Sequence, residues 1–186
     1  MTADFARVIA AGGVAVFPAD TVYGLACDPE NADAVQRLYE LKGRPADKPA
    51  AVMFFSVAAL PAVGPRTQAL AERLLPGAVT LLIPSDRYPL AGGAGTLGLR
   101  VPDLPRFAAM SRPVLQTSAN LAGGPDARRL EDVPESIRAG ADLVIDGGEL
   151  AGTPSTVIDL REYEATGGWR IVRQGAVPEA VIRSVA

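Results

Sequence analysis

GVAVFPADTVYGLACDP, residues 13–29, carries the pattern that decides the fold. Gly13–Phe17 is a short apolar run with two valines, the composition of a buried strand. Ahead of it, Asp4–Ala11 predicts a helix; behind it, the polar Asp20-Thr21 pair marks a turn. Asn31 then offers an N-cap for a second helix, which would carry Val35, Leu38, Tyr39 and Leu41 on one face. The rest of the chain keeps this alternation. Strands are predicted over Ala50–Phe55, Val79–Pro84, Leu97–Val101, Val114–Thr117, Leu143–Asp146, Ser155–Leu160 and Trp169–Arg173, and helices over Thr67–Leu75, Pro105–Ser111, Glu131–Ala139 and Pro178–Ser184. The expected fold is α/β: a single domain over residues 1–186, with an open, twisted, mixed sheet and flanking helices. Prolines and glycines punctuate the joins, and no repeat, low-complexity block or linker interrupts them.

Composition narrows the chemistry. The chain has no histidine, which removes Ser-His-Asp and Cys-His nucleophile systems and the H-E-x-x-H zinc motif. The lone Cys27 excludes an internal disulfide and a Cys-x-x-Cys motif. A metal would have to be a hard cation on oxygen ligands, with Mg²⁺ on substrate phosphates the natural case and no metal site of the protein's own. The net charge of −3 disfavours a broad nucleic-acid-binding face, so weak or no direct contact with nucleic acid is expected. The N-terminus lacks the cationic start of a signal peptide and no apolar run spans a membrane, which together predict a cytoplasmic protein without membrane partners.

Several segments could hold a ligand. LKGRPADKP, residues 41–49, contains the only two lysines, Lys42 and Lys48, with Arg44 between them. Three cations on a short loop can converge on one polyphosphate, or they can simply complement a helix C-terminus; the coincidence of the lysines favours phosphate. Asp20-Thr21 stands where open α/β sheets place ligand contacts, or is an ordinary capped turn. Gly93-x-Gly95-x-x-Gly98 formally matches a dinucleotide fingerprint, but the strand follows it rather than preceding it, so that reading fails. It leaves a glycine-rich loop that can deliver Thr96 and Arg100. Ser118 and Asn120 follow a strand, Ser155 and Thr156 precede one, and Arg173 ends one; each alone reads as a turn.

Taken in order, PADTVYGLACDP, LYELKGRPADKP, LLPGAVTLLIP, LGLRVPDLP, TSANLAGGP, PSTVIDL and RQGAVP resemble the YrdC-like family of threonylcarbamoyl-AMP synthases, over Gly13 to about Val177. The family's Lys-x-Arg and Ser-x-Asn signature matches Lys42/Arg44 and Ser118/Asn120. The resemblance implies a YrdC-like fold around a concave basic cavity, in the short, single-domain branch. It also implies catalytic Lys42, Arg44, Ser118 and Asn120, ATP contacts from Arg44, Lys48, Thr96, Asn120 and Arg173, and threonine contacts from Thr21, Arg100, Ser118 and Ser155. Met53 stands where the family has a histidine near threonine, so it joins that group as an apolar wall. Ala19, Ala122 and Arg128 also depart from the pattern. The implied reaction joins L-threonine, bicarbonate and ATP with Mg²⁺, and its product would pass to tRNA-modification partner proteins. The alternative is a YrdC-like paralogue that binds nucleotide or structured RNA without this activity.

Overall fold

The computed structural model describes residues 1–45, 48–91 and 93–186; positions 46, 47 and 92, inside the basic and glycine-rich loops, lie outside the described residues. Nine strands form one sheet: β1 (Ala15–Pro18), β2 (Tyr23–Cys27), β3 (Ala51–Met53), β4 (Val79–Pro84), β5 (Thr96–Arg100), β6 (Val114–Ser118), β7 (Leu143–Val144), β8 (Thr156–Asp159) and β9 (Arg170–Arg173). Their spatial order is β7-β1-β2-β6-β3-β5-β4-β8-β9. The pairs β1/β7, β3/β5 and β4/β8 are parallel and the rest antiparallel, so the sheet is open and mixed as the alternation predicts. The helices are α1 (Thr2–Ala10), α2 (Ala32–Lys42), α3 (Pro65–Leu74), α4 (Glu135–Gly140), α5 (Tyr163–Thr166) and α6 (Glu179–Arg183). None among the described residues is long and apolar enough to cross a membrane.

One strand is added to the expected set and two helices are corrected. Tyr23–Cys27, just after the Asp20-Thr21 turn, forms a strand where none was predicted. All five of its residues are buried, so it lacks the polar/apolar alternation that announces a half-exposed strand. The helix predicted over Pro105–Ser111 is a single 3-10 turn, Pro105–Phe107. The helix predicted over Glu131–Ala139 is split into a 3-10 turn at Leu130–Asp132 and α4, because Pro134 cannot donate to a continuous helix. The Asn31 cap is confirmed: its Oδ1 accepts the Ala34 N–H at 3.0 Å. Gly43, in the left-handed region at φ 62°, ends α2 and turns the chain toward the basic loop.

The period-two alternation of the strands divides the sheet into two unlike faces. Val16, Leu25, Val52, Leu81, Leu99, Leu115 and Ile158 point to one face, where they meet Leu38 and Tyr39 of α2 and Leu70 of α3 in the main core. The opposite face is covered only at its β1–β2 end, by a second apolar cluster of Phe5, Phe17, Met53, Phe107 and Val114. The rings of Phe5, Phe17 and Phe107 pack edge-on or tilted with centroids 5.1–5.8 Å apart. Beyond that cluster, β6, β3, β5, β4 and β8 leave their second face free to hold a ligand.

Candidate functional site

The uncovered face floors a cavity of about 550 Å³. Its residues alternate with core residues along each strand: Ala51 on β3, Thr80 and Leu82 on β4, Thr96, Gly98 and Arg100 on β5, Gln116 and Ser118 on β6, and Ser155 and Val157 at β8. Ala51 and Gly98 are register partners and Gly98 faces Leu82, so the centre of the floor is kept low by small side chains. A Cβ on Gly98 would make only ordinary contacts of 3.4–3.6 Å, so glycine is required here for room above the floor rather than for backbone strain. The loops after β1, α2 and β6 form the walls and bring in Thr21, Arg44 and Asp126. Five arginines, Arg44, Arg100, Arg161, Arg170 and Arg173, line the cavity against one carboxylate, Asp126, among the described residues.

Arg100 and Asp20 form a buried ion pair at 2.7 Å, with side chains 4% and 8% exposed. Burial pushes the Arg100 pKa down and Asp20 opposes the shift, so the guanidinium stays charged. Only its Nη2 bonds to a described residue, and its buried Nε has no partner. The buried hydroxyl of Thr21 likewise has no partner among the described residues. Two unpaired polar groups in one cavity leave hydrogen-bonding capacity for a ligand or water. Across the floor, the Thr80 and Ser155 hydroxyls bond at 2.8 Å. Arg173 leans on Ser155 through Nη2, at 2.8 Å to its carbonyl and 3.2 Å to its hydroxyl. Gly175 lets this wall close, because a Cβ there would collide with the Pro154 carbonyl oxygen.

The Lys-x-Arg and Ser-x-Asn motifs meet, but not as four ligand contacts. The Lys42 ammonium, 3% exposed, donates to the Ser118 carbonyl (2.6 Å), the Asn120 carbonyl (3.0 Å) and Asn120 Oδ1 (2.6 Å), with Ser118 Oγ at 3.3 Å. Ser118 Oγ donates to Asn120 Oδ1 at 2.7 Å, and Asn120 Nδ2 to the Gly124 carbonyl at 2.6 Å. Lys42 and Asn120 are therefore committed to the protein, off the cavity wall, and clasp the loop that presents Ser118. Burial, with a smaller contribution from Arg44, lowers the Lys42 pKa to about 8. Asp126 opposes the shift but forms no salt bridge with it among the described residues, so the Lys42 charge adds to the cationic field beside Ser118.

Arg44 lies on the wall, with Nε at 3.3 Å from the Lys48 carbonyl and Nη2 at 2.5 Å from that of Pro49. Lys48 itself is exposed and off the wall, and enters this arrangement through its carbonyl, which also accepts the Tyr39 hydroxyl at 2.9 Å. Met53 is fully buried in the Phe17–Phe107 cluster and is not part of the lining, which corrects its expected place on the wall: it is the register partner of Arg100, on the covered part of the same face. Thr21, Arg44, Thr96, Arg100, Ser118, Ser155 and Arg173 are brought together as expected. The lining members Asp126, Arg161 and Arg170 were not singled out in the sequence: each lies outside the motifs that named Ser118, Ser155 and Arg173. Cys27 lies in the core, and burial pushes its thiol up to about 12, so it is inert.

Fold and cavity together define an α/β protein with a concave, arginine-lined pocket on the open face of its sheet. Residues 7–175 match the family model Sua5_yciO_yrdC, described as "Telomere recombination". A Pyrococcus abyssi protein named threonylcarbamoyl-AMP synthase is 34% identical over 97% of this chain, which spans 55% of that relative's length. One of the same name from Stutzerimonas stutzeri is 37% identical over 86% of this chain and 92% of the relative. The crystal structure of P. abyssi Sua5 complexed with L-threonine superposes with a TM-score of 0.88 at 31% identity, covering 99% of this chain and 56% of that one. The chain thus spans about half the length of the P. abyssi relative, and it belongs to the Sua5/YciO/YrdC family.

Proposed function

We propose that this protein makes threonylcarbamoyl-AMP and pyrophosphate from L-threonine, bicarbonate or CO₂, and ATP. The observation that carries the reading is the buried Arg100 guanidinium, whose Nε has no partner among the described residues, in the same cationic cavity as the Thr21 hydroxyl, which also has none there. A guanidinium with free donors suits a carboxylate, and a buried hydroxyl suits the polar end of an amino acid. The names of the relatives, and the L-threonine complexed with P. abyssi Sua5, support the same substrate.

In this reading Thr21, Arg100, Ser118 and Ser155 hold threonine. Its amine takes up CO₂ and loses a proton, giving a carbamate. A carbamate oxygen attacks the α-phosphorus of ATP, the bond to the bridging oxygen breaks, and pyrophosphate leaves with the electron pair. Arg44, Thr96 and Arg173 position the nucleotide, while Lys42 and Asn120 act through the loop they clasp. Fixed cations in a partly enclosed cavity stabilise the charge spread over the reacting phosphoryl group, and neither an imidazole base nor a covalent enzyme intermediate is needed. Mg²⁺ arrives as the ATP complex; the lining offers it one carboxylate, Asp126, which fits an ion held mainly by phosphates and water. The product is passed on in the cytoplasm to proteins that modify tRNA. Pyrophosphate release is the test: turnover should require threonine, bicarbonate and ATP together, and an equal rate without threonine removes the synthase reading.

A further inference from the structure

At the β8–β9 end of the cavity, Asp159 gathers two arginines that the reaction above does not use. Its Oδ1 accepts Arg161 Nε at 2.9 Å, and its Oδ2 accepts Arg161 Nη2 at 2.7 Å and Arg170 Nε and Nη2 at 3.1 and 3.0 Å. The carboxylate is 8% exposed, whereas the arginine side chains are 43% and 71% exposed. A guanidinium has five N–H donors. Each of these turns one edge to Asp159, and the three together carry a net charge of +1, with Glu162 the other carboxylate lining the groove among the described residues. Both arginines line the main cavity, and both also line an adjoining groove of about 480 Å³ against Trp169. A surface ion pair that only tied β9 to β8 would not need to stand where two concavities meet.

Arg44, bonded to the carbonyls of Lys48 and Pro49 ahead of β3, belongs to the opposite end of the cavity; β3 lies three strand spacings from β8 through β5 and β4, roughly 14 Å between backbones at ~4.8 Å per spacing. One pyrophosphate cannot touch both ends. We propose that Asp159 pre-orients Arg161 and Arg170 as a second anion clamp, separate from the Arg44 end, for a free polyphosphate of the pyrophosphate class. Two forks locked in place by a shared carboxylate suit the paired oxygens of such an ion, which a single lysine would hold only as a point charge.

Calorimetric titration with inorganic pyrophosphate, with threonine and bicarbonate absent, tests this. Wild-type protein should bind at two classes of site. Arg170→Gln should weaken one of them about tenfold or more, and Arg44→Ala should weaken the other. Arg161→Lys/Arg170→Lys keeps the charge and the pairing with Asp159 but loses the forks, so it guards against misfolding and should also weaken the β8–β9 class. AMP affinity should not change in Arg170→Gln. Pyrophosphate binding in folded Arg170→Gln indistinguishable from wild type overturns the clamp, and equal weakening of AMP overturns its assignment to a free polyphosphate. The clamp does not rest on the synthase reading, because binding is measured without turnover; either can fail while the other stands.

Discussion

Replacing Lys42 with methionine tests whether a buried cation organises the site from behind. Methionine keeps most of the stem volume but has no donor. The ammonium has three hydrogens, so three of its four contacts form at once. In Lys42→Met, Asn120 Oδ1 keeps the Ser118 hydroxyl at 2.7 Å, while the carbonyls of Ser118 and Asn120 lose their donor. Two orphaned buried acceptors cost about 1–3 kcal/mol each. Against this, the variant no longer buries a charge. Lowering of the pKa from 10.5 to about 8 puts that burial cost at roughly 3 kcal/mol, at about 1.4 kcal/mol per unit. The two effects nearly offset, leaving a loss of only about 1–2 kcal/mol near pH 7. The pH dependence is more telling. Between pH 8 and 10.5 the unfolded lysine holds its proton and the folded one has shed it, so wild-type stability from this group rises with pH. The gap between wild type and Lys42→Met should widen across that window by up to roughly 3 kcal/mol, since every other titrating group is common to both. Urea unfolding of the pair at pH 7 and at higher pH measures it. At pH 7, kcat/KM should fall about a hundredfold, since an unclasped loop misplaces Ser118. A gap that stays constant with pH, or full activity in the variant, rules out this role for Lys42.

Other substitutions separate wall from support. Arg44→Ala should raise the KM for ATP about ten- to a hundredfold, from the loss of charge-assisted bonds of about 1.5–3 kcal/mol, whereas Lys48→Ala should change it less, and steady-state kinetics at limiting ATP ranks the two. Met53→His puts an imidazole among Phe17, Phe107 and Val114; it should lower stability by about 1–3 kcal/mol and leave the threonine KM nearly unchanged, which thermal unfolding and kinetics together check. Gly98→Val should fold, since its Cβ has ordinary neighbours, but lose ligand affinity at least tenfold by raising the cavity floor, as titration would show. Cys27→Ala should keep turnover, with about 1 kcal/mol lost to the small core cavity; a trapped acyl- or nucleotidyl-enzyme on Cys27 would contradict the direct-attack mechanism.

Local chemistry was readable in the chain itself. The Asn31 cap and the strand over Val79–Pro84 depend on neighbours within a few residues, which the sequence displays. The ordered motifs, through the family they resemble, named seven residues that line the cavity, although each segment alone reads as a turn. What the linear sequence could not express was which face of each strand is covered. Tyr23–Cys27 was hidden because a strand buried on both sides shows no alternation. Met53 and Ala51 share a face, yet only Ala51 reaches the cavity, because Phe17 and Phe107 arrive from distant segments to cover the other end. Lys42 and Asn120 looked like ligand contacts until folding set the ammonium against two carbonyls 76 and 78 residues away. Arg161 and Arg170 joined Arg173 in the site only through the sheet order, which sets β8 beside β4 and β9 beside β8. Residue type and spacing decide local geometry; burial, and hence charge and access, is a property of the packed whole.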